Sequence, residues 1–348
     1  MMKKILSALT ALAFTGAYAA TLTVGGQIQA GVKVKGGNHN EDVKAEYYLD
    51  GGDTKIFLKY KDEAKGISGV LVGAFDGAAM KSDNGTESAL FKAKEAWIKF
   101  DLFRSGGASA YMVLGLQPNL IKVCDISITD VYGPDKDYTL VAPAVTLGVA
   151  LGGVKLQSSL VNPSPNKGLY SLAEVAAVIS TEYANVALAL DMVPGELGND
   201  EDDRWLAYGY ANIKAIEPVN VEAQASYGKY SNVDNSAIAE VAVKVSTKNT
   251  FKVITKSAKP YAQVEYVDAD KVSGRYMSKK QNYYVDRQFA IKVGTVIKYN
   301  KHLTENGYIK YIATKYAPTN ANQKEYEKTK LEVGGEFTLK FAKSISLD

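Results

Sequence analysis

Two histidines, one cysteine and one dense acidic run are the residues of this 348-residue chain whose types could carry chemistry. His39 and His302 could act as general bases, but no nucleophile motif accompanies either, and Cys124 has no neighbouring histidine to take its proton. A triad needs all three partners in reach, so hydrolysis finds no support here. Asp200, Glu201, Asp202 and Asp203 in GELGNDEDDR could gather a divalent cation. Calcium wants several oxygens at spaced positions converging on one point, and this run lacks that spacing, so it reads as a solvated acidic loop. The glycines of GGQIQAG lie inside an alternating strand and open no helix, which excludes a phosphate-cradling loop. No catalytic residue, metal or cofactor is expected.

The remaining polar residues are distributed by a different rule. In TLTVGGQIQAGVKVK, Leu22, Val24, Ile28, Ala30, Val32 and Val34 share one face, while Thr23, Gln27, Gln29, Lys33 and Lys35 share the other. VNVEAQASYG repeats the pattern with Glu222 and Gln224 on its polar side, and VGGEFTLKF closes with Val333, Gly335, Phe337, Leu339 and Phe341 against Glu336, Thr338 and Lys340. Successive side chains of a strand point to opposite sides, so each segment meets an apolar medium on one face and water on the other. A soluble sandwich gives the same alternation. Many of these runs reach about ten residues, beyond the usual five or six. Their polar faces also carry Lys, Glu and Gln in numbers suited to a hydrated interior, which favours a closed barrel with lipid outside.

The N-terminus supports export. Lys3 and Lys4 precede an apolar run from Ile5 to Phe14 and then Ala17-Tyr18-Ala19, the layout of a secretory signal peptide cut after Ala19. That divides the chain into a signal peptide (1–19), a barrel (20–341) and a periplasmic C-terminal extension (342–348). Losing Lys3 and Lys4 lowers the 41 basic residues to 39 against 38 acidic ones. Such a balance excludes the basic bias of a nucleic-acid binder. A lone cysteine makes no internal disulfide, and the later apolar stretches are too short for a membrane helix.

Connections alternate in length. KDEAKG, FRSGGAS, LGGVK, YANV, AIEPVN and STKNT are tight, while DGAAMKSDNGTES, NPSPNKGLYS and PGELGNDEDDR are long, and the segment from Pro118 to Asp137 is longest. Counting strands between them predicts an all-β transmembrane antiparallel β-barrel of about sixteen strands, within a range of about 14–18. The parity of that count puts DVKAEYYLDGG in the first loop and makes TFKVITKSAKPYAQVEYVD one long strand interrupted near Pro260. Tyr183, Tyr227, Tyr230, Tyr299, Tyr308 and Tyr316 fall near expected strand ends, where an interfacial belt wants amphipathic rings.

The order of segments resembles the general bacterial outer-membrane porins. TLTVGGQIQAGV resembles their first strand, TKIFLKYKDEAKGISGVLVGAF the second and third, KAKEAWIKFDLFRSGGASAYMVLGLQ the fourth and fifth, and VGGEFTLKF the aromatic-terminated closing strand. Leu116 stands where that family usually has Arg, and the chain runs past Phe341, as suits a distant or deep-branching member. The resemblance implies a loop after the fifth strand that folds inward and narrows the pore, carrying Asp125, Asp130, Asp135 and Asp137. It also implies basic wall partners at Lys33, Lys35, Lys55, Lys59, Lys92 and Lys94. Acids facing bases across a narrow wet passage would orient and filter charged solutes. The expected function is passive diffusion of small hydrophilic solutes and ions by a homotrimer among outer-membrane lipids. The alternatives are a channel specific for a sugar or an anion, and a structural or adhesive barrel.

Overall fold

The computed structural model describes residues 20–37, 43–49, 54–75, 91–118, 120, 124, 126, 141–161, 172–193, 204–229, 237–253, 256–269, 283–318 and 324–347. The first strands are β1 (Ala20–Gly37), β2 (Lys44–Leu49), β3 (Lys55–Asp62), β4 (Ile67–Phe75), β5 (Phe91–Ser105) and β6 (Ala108–Pro118). There follow β7 (Val141–Leu151), β8 (Val154–Val161), β9 (Leu172–Ser180), β10 (Ala184–Val193), β11 (Arg204–Ile213) and β12 (Val219–Lys229). The last are β13 (Ala237–Thr247), β14 (Phe251–Val253), β15 (Lys256–Asp268), β16 (Tyr283–Lys298), β17 (Leu303–Pro318) and β18 (Tyr326–Leu347). Each pairs antiparallel with its neighbours in one sheet, and β1 pairs with β18, so the sheet has no free edge. Closure matters because an open edge in lipid would leave unsatisfied backbone groups.

Two strands of the ring are each broken into two segments, so the eighteen segments make sixteen strands. β1 pairs with β2 from Ala30 opposite Leu49 to Lys35 opposite Lys44, and with β3 from Ala20 opposite Asp62 to Gln27 opposite Lys55. β2 and β3 thus form one broken strand beside β1. Thr54 seals the break: its Oγ1 accepts from the Gln29 amide at 3.2 Å and donates to the Gln29 carbonyl at 3.3 Å. The stretch from Lys44 to Leu49 is therefore strand, contrary to its expected place in a loop, while the parity of the barrel holds.

The second interruption corrects another expectation. The segment holds two strands and not one: β14 pairs antiparallel with the first residues of β15, and Pro260 lies within β15 opposite Thr295 of β16. On the other side β13 pairs from Tyr261 onward and β14 up to Ala258, so Pro260 faces the break between them. Proline lacks a ladder donor and is tolerated where a neighbour's ladder is already interrupted.

The wall is uneven in height. β18 and β1 have 22 and 18 residues, whereas β8 and β9 have 8 and 9. Spanning a bilayer at barrel tilt needs about 9–11 residues. The tall side overruns that span, and its ladder continues past Phe341, with Ala342–Leu347 paired to Gly25–Ala20. Close approach makes glycine necessary here: a Cβ on Gly25 would lie 2.5 Å from both the Phe341 carbonyl oxygen and the Phe57 ring, and one on Gly26 would lie 2.6 Å from the Phe341 ring. The two rings cover opposite faces of the same ladder.

Candidate functional site

Alternation fixes which side chains enter the barrel. Val24, Ile28, Val32 and Val34 of β1, Val333, Phe337, Leu339 and Phe341 of β18, and Phe289, Ile291 and Val293 of β16 are exposed on the outer face. Their partners in the alternation point inward. Register then places Gln27 beside Lys340, Gln29 beside Thr338, Lys33 beside Gly334 and Lys35 beside Glu332. Across the other edge of β1, Lys33 lies opposite Glu46 and Lys35 opposite Lys44, and both ammonium groups reach Glu46, with Nζ–Oε2 distances of 3.8 and 2.8 Å.

The inner wall from β16 through β18 to β3 is rich in lysine. Lys310 and Lys330 flank Glu332 at 3.4 and 3.3 Å, and the Tyr308 hydroxyl donates to the same carboxylate at 2.9 Å. Lys292 stands 4.3 Å above the Tyr308 ring, a favourable cation–π placement. Lys59 lies 5.0 Å from the Phe57 ring. Tyr308 thus serves inside the barrel, not in the expected interfacial belt. Tyr316, on the same face, stacks on Tyr326 at 4.7 Å. Tyr227 does face outward, edge-on to Trp205 at 5.6 Å.

The wall from β9 to β15 carries acids and amides. Glu174, Asp191, Glu240 and Glu265 are at most 1% exposed. Gln224 donates to Glu240 at 2.8 Å, Ser226 to Glu240 at 3.4 Å, and Tyr210 to Glu222 at 2.8 Å; Lys244 pairs with Glu222 at 3.4 Å. Buried carboxylates need such partners, because a buried charge without them is costly.

Three residues of the connection between β6 and β7 lie against this wall. The Leu120 amide donates to Glu174 at 3.2 Å, and the Ile126 amide donates to Gln224 Oε1 at 2.8 Å. Gln263 Nε2 donates to the Ile126 carbonyl. Leu120 and Ile126 are buried, and Cys124 packs beside the apolar cluster that contains Leu120. Burial pushes the Cys124 thiol pKa up, and the nearby Glu174 charge adds to the shift. The contacts reach residues of β9, β12 and β15.

The acids named from sequence, Asp125, Asp130, Asp135 and Asp137, lie outside the described residues. Lys33, Lys35, Lys55 and Lys59 share the inner face of adjacent strands with Gln27, Gln29, Glu336 and Lys340. Glu222 and Gln224 share the inner face of β12. Lys92 is in register with Ala74, but a bulge separates it from Glu95, and Lys94 is the extra, exposed residue. Sequence reading did not single out Glu174, Asp191, Glu240 or Glu265. Each is one acid among alanines and valines, and a single polar residue in a short apolar run carries little periodic signal.

No family model matches the chain, and no curated protein matches it. Solved structures do. The anion-selective porin from Comamonas acidovorans aligns with TM-score 0.64 over 92% of this chain and 100% of that one, at 12% identity. The outer membrane channel DcaP of Acinetobacter baumannii gives 0.62 over 94% and 99%, at 13% identity. OmpT of Vibrio cholerae, an outer membrane protein in trimer form, gives 0.59 over 92% and 100%, at 14% identity. This chain has the barrel fold of those outer-membrane proteins.

Proposed function

We propose that this chain is a distant member of the bacterial porins, an outer-membrane channel for passive diffusion of small hydrophilic solutes and ions. The observation that supports the reading is a closed barrel with an apolar outer face and a polar inner one, on which the amides of Leu120 and Ile126 bond to Glu174 and Gln224. Lipid contacts the apolar outer face, and no chemical step is involved. The signal peptide at 1–19 delivers the chain to the outer membrane. There the short turns face the periplasm, and three copies assemble as a homotrimer, as the trimer form of the Vibrio protein suggests.

Purified mature protein in a planar bilayer is expected to give stable single-channel conductance, and its absence would sink the reading. Reversal potential across a salt gradient then assigns the loop acids. Neutralising Asp125 and Asp130 by Asp→Asn is expected to shift that potential toward anion preference, because the passage loses negative charge. An unchanged value would remove both from the constriction. A second reading, passage favouring anions, draws support from the lysine-rich wall of β16–β18 and β1–β3.

A further inference from the structure

The inner wall formed by β5 to β8 lines a cavity of about 500 Å³, with Leu120 among its lining residues. That volume lies within the range of small-molecule sites. Tyr111 forms part of its floor, only 6% exposed, and its hydroxyl is buried without a hydrogen-bond partner. Two ammonium groups converge on that ring: Lys99 Nζ at 4.5 Å and Lys155 Nζ at 5.3 Å from the centroid. Trp97 and Val113 supply apolar lining, and Gln157 adds an amide.

Among the described residues, the acids beside the lining residues Trp97, Lys99 and Gln157 each have a wall donor. Asp101 lies 3.1 Å from Lys99 and 2.5 Å from Arg104, so two cations share it. Glu95 accepts from Trp97 Nε1 at 3.3 Å, and Glu174 accepts from Gln157 at 3.0 Å and from the Leu120 amide at 3.2 Å. Among the described residues no carboxylate pairs with Lys155. The cavity therefore offers a cationic edge beside an aromatic and aliphatic lining.

We propose that this cavity is a solute subsite for small organic carboxylates with a planar or compact apolar body. The carboxylate sits between Lys99 and Lys155, and the body rests on Trp97, Val113 and Leu120. Charge-assisted hydrogen bonds from two ammonium groups fix the head, and the lining removes apolar surface from water. The proposal rests on the channel reading above and narrows it to a solute class.

Benzoate is the probe. Because Trp97 and Trp205 are the two tryptophans, a Trp205→Phe protein reports on Trp97 alone. Benzoate is expected to change Trp97 fluorescence saturably and to block single-channel current over the same concentrations, with neutral benzyl alcohol doing neither. Lys155→Gln should raise the half-saturating concentration about tenfold, the scale of a lost charge-assisted contact. Lys301→Gln, in a distant turn, should leave it unchanged. Conducting channels with no saturable benzoate response, or the same half-saturation in wild type and Lys155→Gln, would overturn the subsite alone. Saturable fluorescence change in protein that never conducts would support the subsite and overturn the channel. Heat-modifiable gel migration verifies that each variant is a folded barrel.

Discussion

Cys124 was visible in the sequence only as an unpaired thiol; its setting was not. Neither its place beside the apolar cluster around Leu120 nor its proximity to Glu174 leaves a periodic trace, because both depend on a connection crossing to strands distant in the chain. The shift has a kinetic consequence. The thiolate is the reacting species, and a raised pKa means less thiolate at neutral pH. Modification by a small thiosulfonate reagent is thus expected to be slower than for a free cysteine at neutral pH. Its rate should keep climbing with pH beyond the ordinary thiol range of about 8.5. Stopped reaction time courses at several pH values check this, and a rate levelling off at the free-thiol midpoint would contradict it. The inner polar residues tell the opposite story. Gln27, Gln29, Glu336 and Lys340 alternate with apolar residues in long runs, which sends every second side chain to one face, and register sets Gln27 beside Lys340 and Gln29 beside Thr338.

At the scale of elements, the barrel's strand parity was legible while two of its strands were not. Alternating short and long connections counted sixteen, because a chain that re-enters the same side must cross an even number of times. The broken strands β2–β3 and β13–β14 escaped because a break inserts residues without changing direction, and Pro260 drew attention to the wrong strand of the β14–β15 pair. The closing ladder is a sharper case. Phe341 was readable as an aromatic strand residue, but the need for Gly25 opposite its carbonyl emerged only from the pairing of β1 with β18. Gly25→Ala would press a methyl group onto that oxygen and the Phe57 ring. A loss of about 1–3 kcal/mol is expected from such overpacking, read as a lower urea midpoint of the refolded barrel, with Gly335→Ala, which meets open space, as the comparison.

For the molecule as a whole, near-neutral composition hides an unequal display of charge. Glu174, Asp191, Glu240 and Glu265 are sealed against the connection or within the wall, whereas Lys59, Lys155 and Lys340 are exposed. A fully buried charge is compensated locally or given up, while an exposed one acts on passing ions within about 8 Å at physiological salt. The field read by a solute is accordingly more positive than the residue count implies, and nothing in the linear sequence distinguishes a sealed glutamate from an open one. The consequence is measurable by paired substitution. Lys59→Gln combined with Lys340→Gln is expected to move the reversal potential toward cation preference, and the displacement should shrink as salt rises. Glu240→Gln, which keeps an acceptor for Gln224 and Ser226, is expected to leave the potential where it was. If the buried acid moved it and the two lysines did not, the selectivity of the passage would lie in the sealed wall of β9–β15 and not in its open basic side.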